Sequence, residues 1–215
     1  PIDRALQAVV MSQYKRKLFA TLGLNGKPVV MFKSKTIKEN NEFLNTFVNA
    51  IAHLQTEKIA FLRGLACDDL QKAFAYFSEH GISDDNLILE LQEEFSQERL
   101  LLIDGKSITP EKQQHLNSLE SPHNDYRAVF AVDMLNEGWD VLNLFDIVRL
   151  YDTRDARGNR PGKTTMQEAQ LIGRGARYFA FNDPNKPDRM GMRKYDDDMD
   201  NPLRVIEKLH YHSQH

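Results

Sequence analysis

Apolar positions along the chain alternate between short continuous runs and helical repeats, which predicts strands separated by helices. Residues 2–22 and 36–52 place apolar side chains three or four positions apart, the spacing of one helix face. Further helices are predicted over residues 58–80 and 84–97, and from Pro110 after a Thr109 cap. The predicted inward residues of the first two helices are Ala5, Leu6, Val9, Val10, Tyr14 and Leu18, then Ile37, Phe43, Leu44, Phe47, Val48 and Ile51.

Four apolar runs have the length and the β-branched content of buried strands. They are residues 29–32, 100–103, 127–132 and 146–151. Strands that alternate with helices predict a mainly parallel sheet with helices on both faces. We therefore expect residues 1–215 to form one α/β domain. We expect residues 53–98 to be a helical insertion in it, and residues 182–215 a loop-rich edge that leads to a following domain.

Composition narrows the class of protein. The chain has 28 Lys and Arg against 31 Asp and Glu, a net charge of −3, which argues against a surface that binds nucleic acid all over. Basic residues are concentrated between residues 149 and 194, as contact with phosphate requires. One cysteine, Cys67, and no apolar run long enough to cross a membrane favour a cytoplasmic protein. We expect no metal site of its own, because the histidines lack cysteine partners and zinc-ligand spacing.

The segment from Gln170 to Arg177, QLIGRGAR, carries the strongest chemical signal. Positions three and four apart share a helix face, so Gln170, Arg174 and Arg177 can point at one polyanionic group. Arginine holds phosphate through a planar fork of donors, and it can neutralise the charge on a phosphoryl group during its transfer. An amphipathic helix with a solvated basic face would have the same residues.

A second segment, VDMLNEGWDV at residues 132–141, follows an apolar strand. In α/β proteins ligands bind beyond the carboxyl ends of strands, which is where this loop is predicted to lie. Gly138 would let the backbone approach a ligand closely, and Asp140 can accept hydrogen bonds from ribose hydroxyls. A tight turn with a helix-capping aspartate is the alternative interpretation.

Taken together, VDMLNEGWDVLNLFDIVRL from Val132 and TTMQEAQLIGRGARY from Thr164 resemble motifs V and VI of superfamily-two helicases and translocases. The amino-acid sequence of these two segments is most similar to that of the second motor domain of the restriction (R) subunit of type III restriction–modification enzymes. The similarity is dense over residues 127–181, and PVVMFKSK at residues 28–35 resembles motif IV. Many relatives carry threonine and arginine where this chain has Val132 and Glu137, so contacts of this loop with DNA do not transfer directly.

This resemblance implies a RecA-like three-layer domain of an ATP-dependent DNA translocase or helicase in a restriction endonuclease. It implies that ATP lies between this domain and an N-terminal motor domain, which would hold most of the magnesium coordination. It also implies duplex DNA and a DNA methyltransferase (modification) subunit as partners, and no membrane. The residues carried over are Arg177 as arginine finger, Arg174 and Gln170 at the phosphates, Gly138, Asp140 and Gly173 near ATP, and Lys33, Ser34 and Lys35 at the DNA backbone.

The sequence lacks the phosphate-binding loop that such a motor needs. Gly162-Lys163-Thr164 imitates that loop, but the pattern requires glycine at position 157, which is Arg157. No acidic magnesium-binding motif of the Asp-Glu-Ala-Asp kind is present either. We therefore expect half of an ATPase, inactive by itself.

Three other functions stay open at the level of sequence. One is the same motor domain in a DNA repair or remodelling helicase. Another is a non-catalytic RecA-like module that binds DNA or a protein partner. The third, an enzyme that binds a small phosphorylated ligand, is the weakest because a phosphate loop and a catalytic base are missing.

Overall fold

Five parallel strands form one sheet in the computed structural model, in the order β2–β3–β1–β4–β5. The structure describes residues 1–103, 108–132, 142–151, 169–173 and 181–213. The strands are β1 (Val29–Lys33), β2 (Leu100–Ile103), β3 (Ala128–Ala131), β4 (Leu144–Arg149) and β5 (His210–His212). The four predicted strands are thus confirmed, with shifts of one or two residues at their ends, whereas β5 was not predicted.

Six helices are described in full, and side-chain caps fix the starts of several. They are α1 (Ile2–Thr21), α2 (Ile37–Ala52), α3 (Thr56–Gly64), α4 (Asp68–Glu79), α5 (Asp84–Glu94) and α6 (Pro110–Asn117). Short 3-10 turns occur at Gln97–Arg99, Pro187–Arg189 and Pro202–Glu207. Ser83 and Thr109 accept hydrogen bonds from the backbone of the first turns of α5 and α6, and the Thr109 cap is the one that the sequence predicts.

The sheet carries apolar side chains on both faces. On one face, Val30, Phe32 and Phe130 lie in the same apolar cluster as buried residues of α1 and α2. The other face is covered by α6 and by the helical residues 169–173, through the buried Leu116 and Leu171. The predicted α/β class with helices on both faces is therefore confirmed, and the layering is that of a RecA-like domain.

Two details of the helix prediction are wrong. The single helix predicted over residues 58–80 is broken, because α3 ends at Gly64 and α4 begins at Asp68. Glycine is a poor helix former, and Asp68 and Asp69 suit a helix N-terminus with its positive dipole end, so a break is favoured here. Ile37 is 42% exposed rather than inward, since it occupies the first turn of α2, beyond the end of β1.

The helices α3, α4 and α5 fill the region that we expect to be an insertion. Ile59, Leu62, Phe74 and Leu91 from these helices are buried in the same cluster as α1. The three helices therefore extend the apolar core between the sheet and α1, rather than forming a separate core.

Candidate functional site

The carboxyl ends of all five strands lie along one edge of the sheet, because every strand pair is parallel. Lys33 at the end of β1 is in register with Ala131 of β3 on one side and Arg149 of β4 on the other. Open parallel sheets bind their ligands at this edge. The turn after β1 and the chain that leaves β3 thus start side by side there.

The turn after β1 joins the neighbouring strand ends through hydrogen bonds. The Ser34 amide donates to the Ala131 carbonyl at 3.0 Å, and the Leu150 amide donates to the Lys33 carbonyl at 3.0 Å. The Ser34 hydroxyl donates to Asn40 Oδ1 at 3.1 Å, and Asn40 Nδ2 donates to the Ile103 carbonyl at 3.3 Å. The turn is therefore held rigidly against β2, β3 and β4.

A capping box starts α2 directly after this turn. The Glu39 amide donates to the Thr36 hydroxyl at 3.2 Å, and the Thr36 amide donates to the Glu39 carboxylate at 3.0 Å. The capping box fixes the direction in which residues 34–36 leave the sheet. Of the three residues expected at DNA, Lys33 and Ser34 are only 3% and 1% exposed, whereas Lys35 is exposed.

An open cleft of about 580 Å³ lies beside this turn. Ser34, Lys35 and Glu39 contribute polar groups to it, and Phe43 and Tyr151 contribute rings. The cleft spans the carboxyl ends of β1 and β4, so it has the position of a ligand site in this fold.

The described part of the QLIGRGAR segment is helical. Leu171 is 2% exposed and packs on the second face of the sheet, whereas Gln170 and Gly173 are exposed. One apolar side chain therefore anchors the helix while the predicted phosphate-facing glutamine stays accessible. Arg174, Arg177, Gly138 and Asp140 lie outside the described residues.

Neither a metal cluster nor a membrane span is found in the described parts of the chain. No group of three or more His, Cys, Asp or Glu side chains there could hold a metal ion. No helix there is long and apolar enough to cross a membrane.

A buried charged cluster, which the sequence reading missed, joins α1 to β4 and β5. Lys15 Nζ donates to the Asp146 carboxylate at 2.7 Å and to the Phe145 carbonyl at 2.9 Å, and His212 Nε2 lies 3.0 Å from Asp146. Lys15 and Asp146 are both 0% exposed. Burial alone would raise the pKa of Asp146, but the Lys15 ammonium and the His212 hydrogen bond hold it below the ordinary value.

A second carboxylate, Asp69 of α4, binds the same edge strand. It accepts hydrogen bonds from Lys208 at 3.0 Å and lies 3.1 Å from His210 Nε2. The hydrogen bond from His210, then that from Lys208, lowers the pKa of Asp69, although burial acts in the opposite direction. Burial in turn lowers the pKa of His210. Two signals were present in the sequence, namely a lysine on the apolar face of the first helix and an aspartate inside an apolar strand.

Comparisons with known proteins give one relative that aligns along most of the chain. The chain is 30% identical over 178 residues to the Haemophilus influenzae protein named "Probable type III restriction-modification enzyme HindVIP Res subunit". The alignment covers 73% of this chain but 35% of that protein, so the chain spans about a third of the relative's length.

Two further matches fall on shorter segments. An uncharacterized protein of the same organism is 51% identical over 53 residues, which is 23% of this chain and 10% of that protein. The HI_1054_N family model, described as an N-terminal region, matches residues 164–215. No solved structure matches.

Proposed function

Because this chain is a homologue of the Res subunit of type III restriction–modification enzymes over 73% of its length, we propose that it is the second motor domain of an ATP-dependent DNA translocase in such an enzyme. In this proposal the complete protein hydrolyses ATP, moves along duplex DNA and carries an endonuclease activity. The domain supplies the arginine finger and part of the DNA track, and the N-terminal motor domain supplies the phosphate loop.

One geometric observation carries the proposal. The exposed Lys35 after β1 and the chain that leaves β3 toward Gly138 and Asp140 start from adjacent strand ends, joined by the hydrogen bond from Ser34 to Ala131. A site that couples nucleotide to DNA needs both contacts on one rigid edge, so that closure around ATP shifts the DNA-binding residues. The rigid turn at Ser34 and Asn40 supports this coupling.

The roles proposed for the nucleotide-binding residues come from the resemblance to motifs V and VI. Arg177 would approach the γ-phosphate, Arg174 would hold the same phosphate, and Gln170 would orient phosphate or water. Gly138 and Asp140 would contact the sugar, and Gly173 would let the helix approach the nucleotide. Magnesium would accompany ATP, with its ligands mainly in the N-terminal motor domain.

Exposure narrows the DNA contact to one of the three residues expected at the backbone. Lys35 is the exposed residue of the three, so we assign the phosphate contact to Lys35. The buried Lys33 and Ser34 would position it from within the turn. A modification methyltransferase is the proposed protein partner, and the cytoplasm the proposed location.

ATP hydrolysis tests the nucleotide assignment. The 215-residue chain and the full gene product would each be measured with and without duplex DNA, as wild type, Arg177→Ala and Arg177→Lys. We expect no ATP hydrolysis by the 215-residue chain, and DNA-stimulated hydrolysis by the full gene product. Both variants of the full product should lose about 10³-fold in kcat, because neither alanine nor lysine has the planar fork of donors. Arg63→Ala on α3 is the matched control. Robust hydrolysis by the chain alone would sink the half-motor proposal.

Binding of duplex DNA at several salt concentrations tests the assignment of Lys35. Lys35→Ala should weaken binding for every sequence and reduce the slope of log K against log salt by about one, as the loss of one phosphate contact requires. Lys38→Ala, three residues away on the exposed side of α2, is the matched control. Equal slopes for the two variants would remove Lys35 from the DNA track.

A further inference from the structure

The strand β5 is the shortest of the five strands and lies at an edge of the sheet. It spans three residues, all half-buried, and pairs in parallel with β4 on one side. On its other side no described strand pairs with it. A strand of this length forms few backbone hydrogen bonds, so its side chains decide how firmly it is held. None of them belongs to the proposed motor site, and the inference below does not depend on that proposal.

Two histidines of β5 share one face of the strand, because successive side chains of a strand alternate between its faces. The ring centroids of His210 and His212 lie 6.3 Å apart. His210 Nε2 lies 3.1 Å from the carboxylate of Asp69 in α4, and His212 Nε2 lies 3.0 Å from that of Asp146 in β4. Each histidine therefore ties β5 to a carboxylate on another element.

The two carboxylates determine which ring nitrogen of each histidine carries the proton. Asp69 and Asp146 are ionised at neutral pH, because the pKa of each is lowered. An ionised carboxylate only accepts hydrogen bonds, so Nε2 of each neutral ring donates to it. The other ring nitrogen of His210, Nδ1, is buried, and no described residue forms a hydrogen bond with it. A second proton on His210 would therefore create a buried N–H group without an acceptor.

The surroundings of His210 already hold more positive than negative charge when both rings are neutral. The charged and titratable groups around His210 and Asp69 come from α1, α4, β4 and the segment of β5 itself, and they are Tyr14, Lys15, Asp69, Lys72, Asp146, Lys208 and His212. The three ammonium groups among them outnumber the two carboxylates. Burial, followed by the Lys15 ammonium, lowers the pKa of His210, whereas the hydrogen bond to Asp69 acts in the opposite direction.

We propose that β5 separates from β4 when His210 takes up a proton, so that this edge of the sheet opens in mild acid. Separation brings the charged ring into water, and it uncovers the backbone edge of β4, to which another strand can pair. Because the pKa of His210 is lowered in the closed sheet, the closed state has its full stability above the ordinary histidine pKa, about 6.5, and loses it as pH falls below that value. A ring that stays neutral in the closed state makes opening about tenfold more favourable one pH unit below the ordinary pKa.

Hydrogen exchange of the backbone amides of the 215-residue chain, corrected for the intrinsic pH dependence of exchange, tests the proposal. We expect the protection of the amides that pair β4 with β5 to fall about tenfold between about pH 7.5 and about pH 5.5. The amides that pair β1 with β3 are the internal reference and should keep their protection. Asp69 and Asp146 do not titrate in this range, since the pKa of each is lowered.

Three substitutions complete the test. His210→Gln keeps an N–H donor for Asp69 but takes up no proton, so its β5 protection should be equal at the two pH values. His212→Gln should show the same loss in acid as wild type, because His210 still titrates, and so should the exposed control His123→Gln. If His210→Gln leaves β5 unprotected at both pH values, an NMR titration of the wild-type His210 ring decides, with a midpoint below about 6.5 expected. The proposal is overturned if wild-type β5 protection does not change with pH, if the β1–β3 amides lose as much protection, if His210→Gln keeps the loss in acid, or if the ring titrates at or above the ordinary pKa.

Discussion

The face of the sheet that packs against α1 and α2 is held by two different chemistries on the two sides of β1. Toward β3, the rings of Phe32, Phe47 and Phe130 pack with centroids 4.7 to 5.5 Å apart. Toward β5, the buried pair of Lys15 and Asp146 occupies the corresponding layer. Ring packing is a sum of many weak contacts and fails gradually, whereas a buried ion pair fails at once when one partner is removed.

Removing the carboxylate of Asp146 should produce the largest effect. Asp146→Leu leaves the Lys15 ammonium buried without its ion-pair partner, so we expect a loss of about 3–5 kcal/mol in the free energy of unfolding, measured by urea denaturation. The double variant Lys15→Met/Asp146→Leu should recover most of that loss, because it buries no charge. If the free energy of unfolding of Asp146→Leu lies within about 1 kcal/mol of the wild-type value, the ion pair does not hold this side of the sheet.

Acidification should weaken the buried ion pair of Lys15 and Asp146 but leave the packing of the phenylalanine rings unchanged. Asp146 has a lowered pKa in the folded protein, so its contribution is present above the unfolded pKa, about 4, and is lost as pH falls through the folded value. Below about pH 4, wild type should therefore lose stability more steeply than Lys15→Met/Asp146→Leu. Asp69, whose pKa is lowered too, is present in both proteins and cancels. Parallel stability–pH curves would show that the pair contributes nothing that titrates.

Truncating a ring should cost less and should not depend on pH. Phe47→Leu removes part of a side chain that is 0% exposed, and we expect a loss of about 1–2 kcal/mol in the free energy of unfolding. Phe61→Leu is the matched control, since Phe61 is 49% exposed and should change stability by about 0.5 kcal/mol or less. If both substitutions cost the same, Phe47 is not a core anchor.

The smallest effect is expected at the edge strand. His212→Gln weakens one hydrogen bond to Asp146 and should cost about 1 kcal/mol, seen as a shift in the urea midpoint without a change in slope. His123→Gln on the surface is the control. A loss as large as that of Asp146→Leu would mean that His212, rather than Lys15, holds the carboxylate.

The apolar half is the part of the fold that the sequence predicts well. Ala5, Leu6, Val9, Val10, Tyr14 and Leu18 are all buried as expected, because their spacing follows the helix period. Phe47 and Ile51 of α2 are buried too. The spacing of apolar residues does not predict β5, because two of its three residues are histidines and all three are only half-buried. That strand is recognised only in the structure, where it pairs in parallel with β4.

In the candidate site, too, local features could be predicted from the sequence, whereas features that depend on tertiary contacts could not. The positions of Lys33, Ser34 and Lys35 at a strand end could be predicted from an apolar run followed by polar residues. Their exposure could not be predicted, because the turn is held by contacts with other elements. Ser34 bonds to Asn40 of α2 and to Ala131 of β3. The predicted roles of Arg174, Arg177, Gly138 and Asp140 remain predictions.

The buried pair also has a consequence for the order in which the chain can fold during synthesis. Lys15 lies in the first helix, and Asp146 follows it 131 positions later. At about 5–20 residues per second, the ribosome needs about 7 to 26 seconds to add that stretch. Until β4 emerges, full burial of α1 would strand a bare ammonium in an apolar layer. The helix α1 is thus among the last elements of this domain to reach its final, dry position, and the nascent chain must keep its apolar face covered in the meantime.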